Sequence, residues 1–415
     1  MTLYLLLVIE VFMNKLISIY IVVFLDMLGI GIMIPVIRDF TEFLVIESGY
    51  KTTNYATFAG VLMASYSLFQ FFFAPILGRL SDIFGRKRVL QLSIIGNVIS
   101  YFIWAITSNY VIFLFSRIIS GMTGGNISVA QSYIADATNS SNRAKYMGLF
   151  GAVLGIGFIV GPFLGGIFSM IDLTMYSTGM IKFNPYSFIG VATMGLSIIN
   201  LIWVQLSVHN IRKEQFIHEK WYRLKISGMQ AVRSKGLKLI IVSYFFLSLG
   251  FMHIEATLAW DLKDRFELNT ENTGYYFAFM GLIMALVQGG IYRILLKKYS
   301  INKILNIGLI SLSIGMFLMI MKIHLLYTAI VTVVLAFGMG ISSPSYLTIT
   351  SNSANEEEQG ITLGVLHSFG SLARIIAPIS ATLMYDHIGE IYPYIASGLI
   401  IIIAMIIINR ADAKD

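Results

Sequence analysis

The chain contains no cysteine among its 415 residues, which excludes disulfides, thiolate metal sites and cysteine nucleophiles. Charge is also scarce. Asp, Glu, Lys and Arg make up 12% of the residues, against roughly 25% in a soluble domain. With 57% hydrophobic residues and a mean hydropathy of +0.78, such a chain cannot cover its surface with polar groups, and its expected solvent is lipid. No His/Asp/Glu cluster has metal-ligand spacing, and neither a Gly-x-Ser-x-Gly elbow nor a Walker-type loop occurs. These absences argue against an enzyme, a metal site and direct ATP drive. The net charge of +7 gains its meaning from where the charges sit rather than from a nucleic-acid partner, and none is expected.

What the sequence does have is twelve apolar runs, near 16–37, 58–77, 89–107, 111–136, 144–169, 186–207, 238–259, 273–294, 303–321, 325–350, 360–384 and 391–409. Each is close to the ~20 residues that cross a bilayer as helix. With both termini placed in the cytoplasm, 21 of the 29 Lys and Arg fall in cytoplasmic segments, six outside, and two, Arg117 and Arg374, within runs. That asymmetry follows the positive-inside rule. Residues 352–359 are the exception, with Glu356, Glu357 and Glu358 and no cation, but acids weigh little in that rule. Ahead of the first run, residues 3–12 are apolar apart from Glu10. Residues 1–15 are read as an extension, either preceding a start at Met13 or lying at the membrane interface; a cleaved signal would need a basic n-region and a small-residue cleavage site.

The two halves look like copies. Gly78 opens a basic segment between runs two and three, and Gly290 opens a degenerate version 212 residues later. Gly148 and Pro162 in the fifth run have counterparts Gly364 and Pro378 in the eleventh, both offset by 216. The expected architecture is two six-helix bundles, 16–207 and 238–409, joined by a basic linker over 208–237 and ending in a tail at 410–415. Many secondary transporters are built from two repeats with the cargo site at their midplane.

Polar residues inside the runs are candidate site residues, because a charge at membrane depth usually faces a cavity or a partner. Asp26 sits midway in the first run beside Gly29, Gly31 and Pro35, and a carboxyl there is a candidate proton carrier; the alternative is a structural Asp paired with a neighbouring helix. Arg117 cannot readily lose its proton and needs an acceptor; Asp26 is the candidate partner, and snorkelling to the interface is the alternative. In the seventh run His253 and Glu255 are two residues apart, about 200° around a helix, so at most one lines a central path. Glu255 is favoured as a proton or cation site, and His253 is read either as a titrating group or as a packing residue. In the eleventh run His367, Ser371, Arg374 and Pro378 form one stripe, expected to face the bundle interior because Arg374 toward lipid would be costly. Arg374 is read either as a substrate-binding residue or as tied to an acidic group such as Glu356–Glu358. Gln70, Gln131 and Gln288 are candidate cavity hydrogen-bonders or interhelical glue.

Two motifs are more specific. Gly78-Arg-Leu-Ser-Asp82-Ile-Phe-Gly85-Arg86-Lys-Arg88 reads as a basic turn, and it resembles the cytoplasmic 2–3 loop motif of the major facilitator superfamily. The fifth run carries Gly151, Gly155, Gly157, Gly161, Pro162, Gly165 and Gly166. Glycine at four-residue steps lets another backbone approach closely, and the string resembles the antiporter signature of drug/proton exporters. Arg117 to Gly125, Ser132 to Asp136 with Arg143, and Asp26 to Pro35 extend the resemblance over nearly the whole chain from about residue 16. It points to the twelve-helix drug:proton antiporters, and within them to tetracycline/proton antiporters.

That resemblance implies a major facilitator fold and proton-coupled export by alternating access, driven by the proton motive force without a cofactor. It also implies a small amphipathic or cationic cargo, a monomer, and an inner (plasma) membrane location. In such proteins the residues matching Asp82 and Arg86 form a cytoplasmic latch with the opposite bundle. Tetracycline exporters also carry acids in helices 3 and 9, where this chain has Ser100 and no acid at all. The alternative reading on the same fold is an exporter or facilitator of a metabolite.

Overall fold

Long apolar runs can satisfy their backbone groups in lipid only by closing every hydrogen bond within the segment, and the chain folds accordingly. The computed structural model describes residues 2–138, 140–178, 182–209, 234–321, 323–353 and 359–412, with only the backbone described for 2–15, 140–141, 143–145, 359–361 and 412. Among the described residues there are thirteen longer helices, one 3-10 turn at Thr174–Tyr176, and no strand. They are α1 (Thr2–Glu47), α2 (Tyr55–Phe84), α3 (Arg86–Ile106), α4 (Tyr110–Thr123), α5 (Asn126–Ala137), α6 (Ser140–Phe168) and α7 (Ser187–Ser207). After the 210–233 segment come α8 (Lys235–Phe266), α9 (Thr270–Leu296), α10 (Ile301–Leu318), α11 (Leu325–Asn352), α12 (Gln359–His387) and α13 (Tyr392–Asp412). Eleven of these, among the described residues, are long and apolar enough to cross a membrane. The twelfth crossing is the broken pair α4–α5.

Three details differ from the sequence reading. The 111–136 run is not one helix: it stops at Thr123 and restarts at Asn126. At the break, a Cβ on Gly125 would lie 2.5 Å from the Leu77 side chain, so only glycine lets α2 approach there. The Gly124 carbonyl freed by the break accepts from Gln70 Nε2 at 2.8 Å. A polar side chain inside α2 thereby satisfies backbone that lipid could not.

The basic 78–88 segment is hardly a turn either. Helix α2 continues through Gly78 to Phe84, and α3 starts at Arg86. Gly85 alone makes the corner, at φ 95°, a conformation that side-chain-bearing residues rarely adopt. In the second half Gly290 lies inside a π-helical turn, Val287–Ile291, within α9. The segment there keeps the helix going rather than opening a connection.

The chain forms two compact units: Met1–Tyr50 with Leu68–Ile217 and Thr270–Ala278, and Lys51–Ser67 with His218–Asn269 and Phe279–Asp415. They follow the two halves of the sequence except at the first parts of α2 and α9. In the second unit, Thr57 donates its N–H (2.6 Å) and its hydroxyl (2.7 Å) to Asp386 of α12. A Cβ on Gly60 of α2 would meet the Pro378 carbonyl oxygen of α12 at 2.7 Å. In the first unit, the Thr270 hydroxyl at the start of α9 donates to Asp39 of α1, and Gly274 packs on Pro162 and Gly166 of α6. The linker segment 210–233, the Glu356–Glu358 run and residues 413–415 lie outside the described residues.

Candidate functional site

The first unit places Asp26 at the meeting point of four helices. It is buried on α1 (9% exposed), and its Oδ1 accepts from Asn97 Nδ2 of α3 at 2.9 Å and from Asn126 Nδ2 of α5 at 2.8 Å. Ser120 of α4 donates to Asn97 Oδ1 at 3.1 Å and fixes that carboxamide. Asn126 reaches Asp26 because the break at Gly124–Gly125 makes it the first residue of α5. Asp26 makes no ion pair among the described residues, and the carboxamides fill the place that the sequence reading gives to Arg117. Arg117 is buried on α4 (6% exposed). Neutral amides can satisfy a carboxylate in lipid without burying a second charge. The signal for Asn97 and Asn126 was available as two more amides inside apolar runs.

The α2–α3 corner is a second polar cluster of this unit. Arg86 is 4% exposed and donates Nε and Nη2 to Asp136 Oδ2 of α5, at 3.0 and 2.8 Å. Its guanidinium also contacts Ser81 and Asp82, while Nη1 reaches the Gly78 carbonyl at 3.5 Å. Every one of these partners belongs to the same unit. Asp82 is partly exposed and Arg88 exposed. Gln131 lies half-buried on α5.

The glycines of α6 divide into two sets. A Cβ on Gly157, Gly161 or Gly165 would strike α1, at 2.6 Å from Met27 Cβ, 2.7 Å from Gly31 Cα and 2.2 Å from the Ile32 carbonyl oxygen. One on Gly166 would strike the Glu271 carbonyl oxygen of α9 at 2.8 Å. Around Gly148, Gly151 and Gly155 there is nothing within 4 Å. The signature therefore serves close packing over half of its length and faces open space over the other half.

The second unit separates His253 from Glu255. His253 is 1% exposed; its Nδ1 contacts the Leu249 carbonyl at 2.7 Å and its Nε2 the Ser380 hydroxyl of α12 at 3.1 Å. It ties α8 to α12. Glu255, half-buried on α8, lies in the electrostatic field of Arg374. Arg374 is exposed on α12 and donates Nη2 to Ser371 Oγ at 2.8 Å. Gln288 is exposed in the π turn of α9.

One cluster escaped the sequence reading. Arg265 Nε pairs with fully buried Asp261 at 2.5 Å, Nη1 donates to the Met319 carbonyl at 2.8 Å, and the guanidinium lies 5.6 Å from the Tyr394 ring centre. The i,i+4 spacing of an acid and a base near the end of α8 was the available signal.

This architecture, helices packed through glycine and polar groups gathered at membrane depth, is that of a membrane transporter. The sequence profile described as Major Facilitator Superfamily matches residues 16–378 and 295–412, and the chain belongs to that superfamily. It is 30% identical over 380 residues to the tetracycline resistance protein, class H, of Pasteurella multocida, covering 90% of each chain. It is 27% identical to the major facilitator superfamily domain-containing protein 10 of Mus musculus, over 81% of this chain and 74% of that one. Among solved structures, a bacterial homolog of the human lysosomal transporter Spinster superposes with a TM-score of 0.77 at 12% identity, over 96% of each chain. The human organic anion transporter MFSD10 superposes with a TM-score of 0.71 at 19% identity, over 96% of this chain and 99% of that one. The chain is thus a multi-pass membrane transporter with an all-α major facilitator fold, and not an enzyme.

Proposed function

We propose that this transporter exports a small amphipathic compound in exchange for protons, by alternating access across a bacterial inner membrane with both termini in the cytoplasm. Similarity to tetracycline resistance proteins along nearly the whole chain and the antiporter-like glycines of α6 support export. One observation carries the proton coupling: Asp26 is a carboxyl buried in a spanning helix, held by two neutral carboxamides and by no cation among the described residues. Such a group can be emptied and refilled with a proton without breaking a salt bridge. Each charge moved through 100 mV contributes roughly 2.3 kcal/mol, so one or two protons can sustain a steep cargo gradient.

Of the two cargo types set out from the sequence, the amphipathic one is retained. A cationic cargo finds Asp26 covered by amides and Glu255 within the field of Arg374. A metabolite exporter or facilitator is the second reading, favoured by Ser100 standing where tetracycline exporters carry an acid; its hydroxyl donates instead to the Ser116 carbonyl at 2.9 Å. The test is cargo-triggered proton release from acidified proteoliposomes, with Asp26→Asn alongside. Release that is lost in the mutant supports antiport; cargo flux without proton movement removes it.

A further inference from the structure

Four arginines in or beside the spans are withdrawn from solvent. Arg38 is paired with Asp39 and Glu42. Arg86 is enclosed by Asp82 and Asp136, Arg265 by Asp261, and Arg117 is 6% exposed. Arg374 differs from all of them. It stands in the middle of the Thr362–His387 span, exposed, and makes no ion pair among the described residues. Its described hydrogen bond runs to Ser371, one turn earlier on the same helix.

The Ser371 hydroxyl itself donates to the His367 carbonyl at 3.0 Å, so its oxygen acts as an acceptor that orients the guanidinium. Among the described residues the guanidinium makes no other hydrogen bond or ion pair. Below Arg374 the same face of α12 carries exposed His367 and then Gly364, with nothing within 4 Å of the position a Cβ would take. One face of this spanning helix thus carries exposed Arg374 and His367, part-buried Ser371 and the open space at Gly364. The groups in the field of Arg374 are Glu255 and Tyr244 of α8 and His367 of α12. A Cβ on Gly370 would sit 3.1 Å from the Tyr244 ring, so α8 backs this face closely. A guanidinium cannot discharge, and at membrane depth it needs a counter-charge.

We infer that Arg374 receives a negatively charged end of the cargo, a carboxylate or comparable anion, with Ser371 setting the fork and His367 lining the same face. The inference rests on the export reading and adds the charge type of the cargo. Glu255 is the competitor: its carboxylate lies in the same field without forming an ion pair, so removing its charge strengthens the attraction for an outside anion.

The test is binding of three matched probes, 1-naphthylacetate, 1-naphthylacetamide and 2-(1-naphthyl)ethylamine, to the full chain in phosphatidylcholine nanodiscs. The carboxylate is expected to bind about ten-fold or more tightly than the amide, as one bidentate charge-assisted contact provides. Arg374→Gln collapses that ratio toward one, and Glu255→Gln widens it. Equal binding of the three, absent carboxylate binding, or preference for the amine overturns the assignment. The wild-type order and the Glu255→Gln result decide the matter even where Arg374→Gln fails to fold. Adding phosphatidylglycerol to the discs separates the sources: a preference abolished by anionic lipid assigns the site to a headgroup and overturns the cargo reading. Carboxylate preference without proton release in liposomes removes antiport and leaves the anion site standing. Proton release driven by cargo of the other charge does the reverse.

Discussion

The two units carry related scaffolds and unlike chemistry. In the first, the polar groups inside the spans are closed off: Asp26 lies under Asn97 and Asn126, Arg86 sits between Asp82 and Asp136, and the Gly124 carbonyl is met by Gln70. In the second, one cluster is equally closed, Arg265 with Asp261, whereas Arg374 and Glu255 face each other's fields without bonding. The positions matched between the halves are a glycine pair that faces open space, Gly148 and Gly364, and the prolines Pro162 and Pro378, while the charged residues differ. On the function proposed above, the first half would hold the titratable group and the second would meet the cargo.

The sharpest way to break that contrast is Asp26→Asn. It is expected to reduce cargo-driven proton movement to background in proteoliposomes while the protein still inserts, because Asn can accept from the same two amides. Retained proton coupling would move the titrating role out of the first unit. Next in size is Asp261→Ala, which leaves Arg265 buried without its partner and is expected to cost about 3–5 kcal/mol, seen as a large fall in the thermal unfolding midpoint in detergent. A midpoint like that of the wild type would show that this closed cluster is not what stabilises the second unit.

Within α6 the two glycine sets make an internal control. Gly165→Ala puts a methyl against the Ile32 carbonyl and should destabilise by about 1–3 kcal/mol, whereas Gly155→Ala, facing open space, should be neutral or stabilising by up to about 1 kcal/mol. Circular dichroism melts of the two variants side by side would sharpen or erase the division. Among the destabilising changes the smallest effect is expected for Gln70→Leu, about 0.6 kcal/mol and at most about 1.7, the mean and maximum for interhelical hydrogen bonds in membranes. Hydrogen exchange at Gly125 and Asn126 should rise with it; unchanged exchange would mean that the break needs no support from α2.

Much of this was legible in the sequence, for reasons that also explain the rest. Hydropathy reports the length of chain that lipid tolerates, so some runs matched their helices, as 186–207 became Ser187–Ser207, while helices that continue past the lipid outran theirs, as 16–37 lies within Thr2–Glu47. The α4–α5 break escaped because Gly124 and Gly125 keep the hydropathy high, and only Leu77 on another helix makes their lack of a side chain matter. The 78–88 segment was read as a turn on its charges, although helices carry charges readily where they leave the membrane. Arg117 was paired with Asp26 on opposite charge, a relation visible in sequence. The partners in the structure, Asn97 and Asn126, carry no charge and lie 71 and 100 residues away. His253 and Glu255 were set on different faces by helical angle, a local geometry, and His253 is buried against Ser380 while Glu255 is half-buried.

The corner at Gly85 has a practical consequence. A connection of one residue has no slack, so an inserted amino acid cannot loop out. It must turn α3 by about 100° about its axis, carrying Arg86 off Asp136 and Asn97 off Asp26 together. Epitope tags, protease sites or fluorescent-protein insertions placed there are expected to silence the transporter, and insertional tolerance along the chain should dip sharply at this one position.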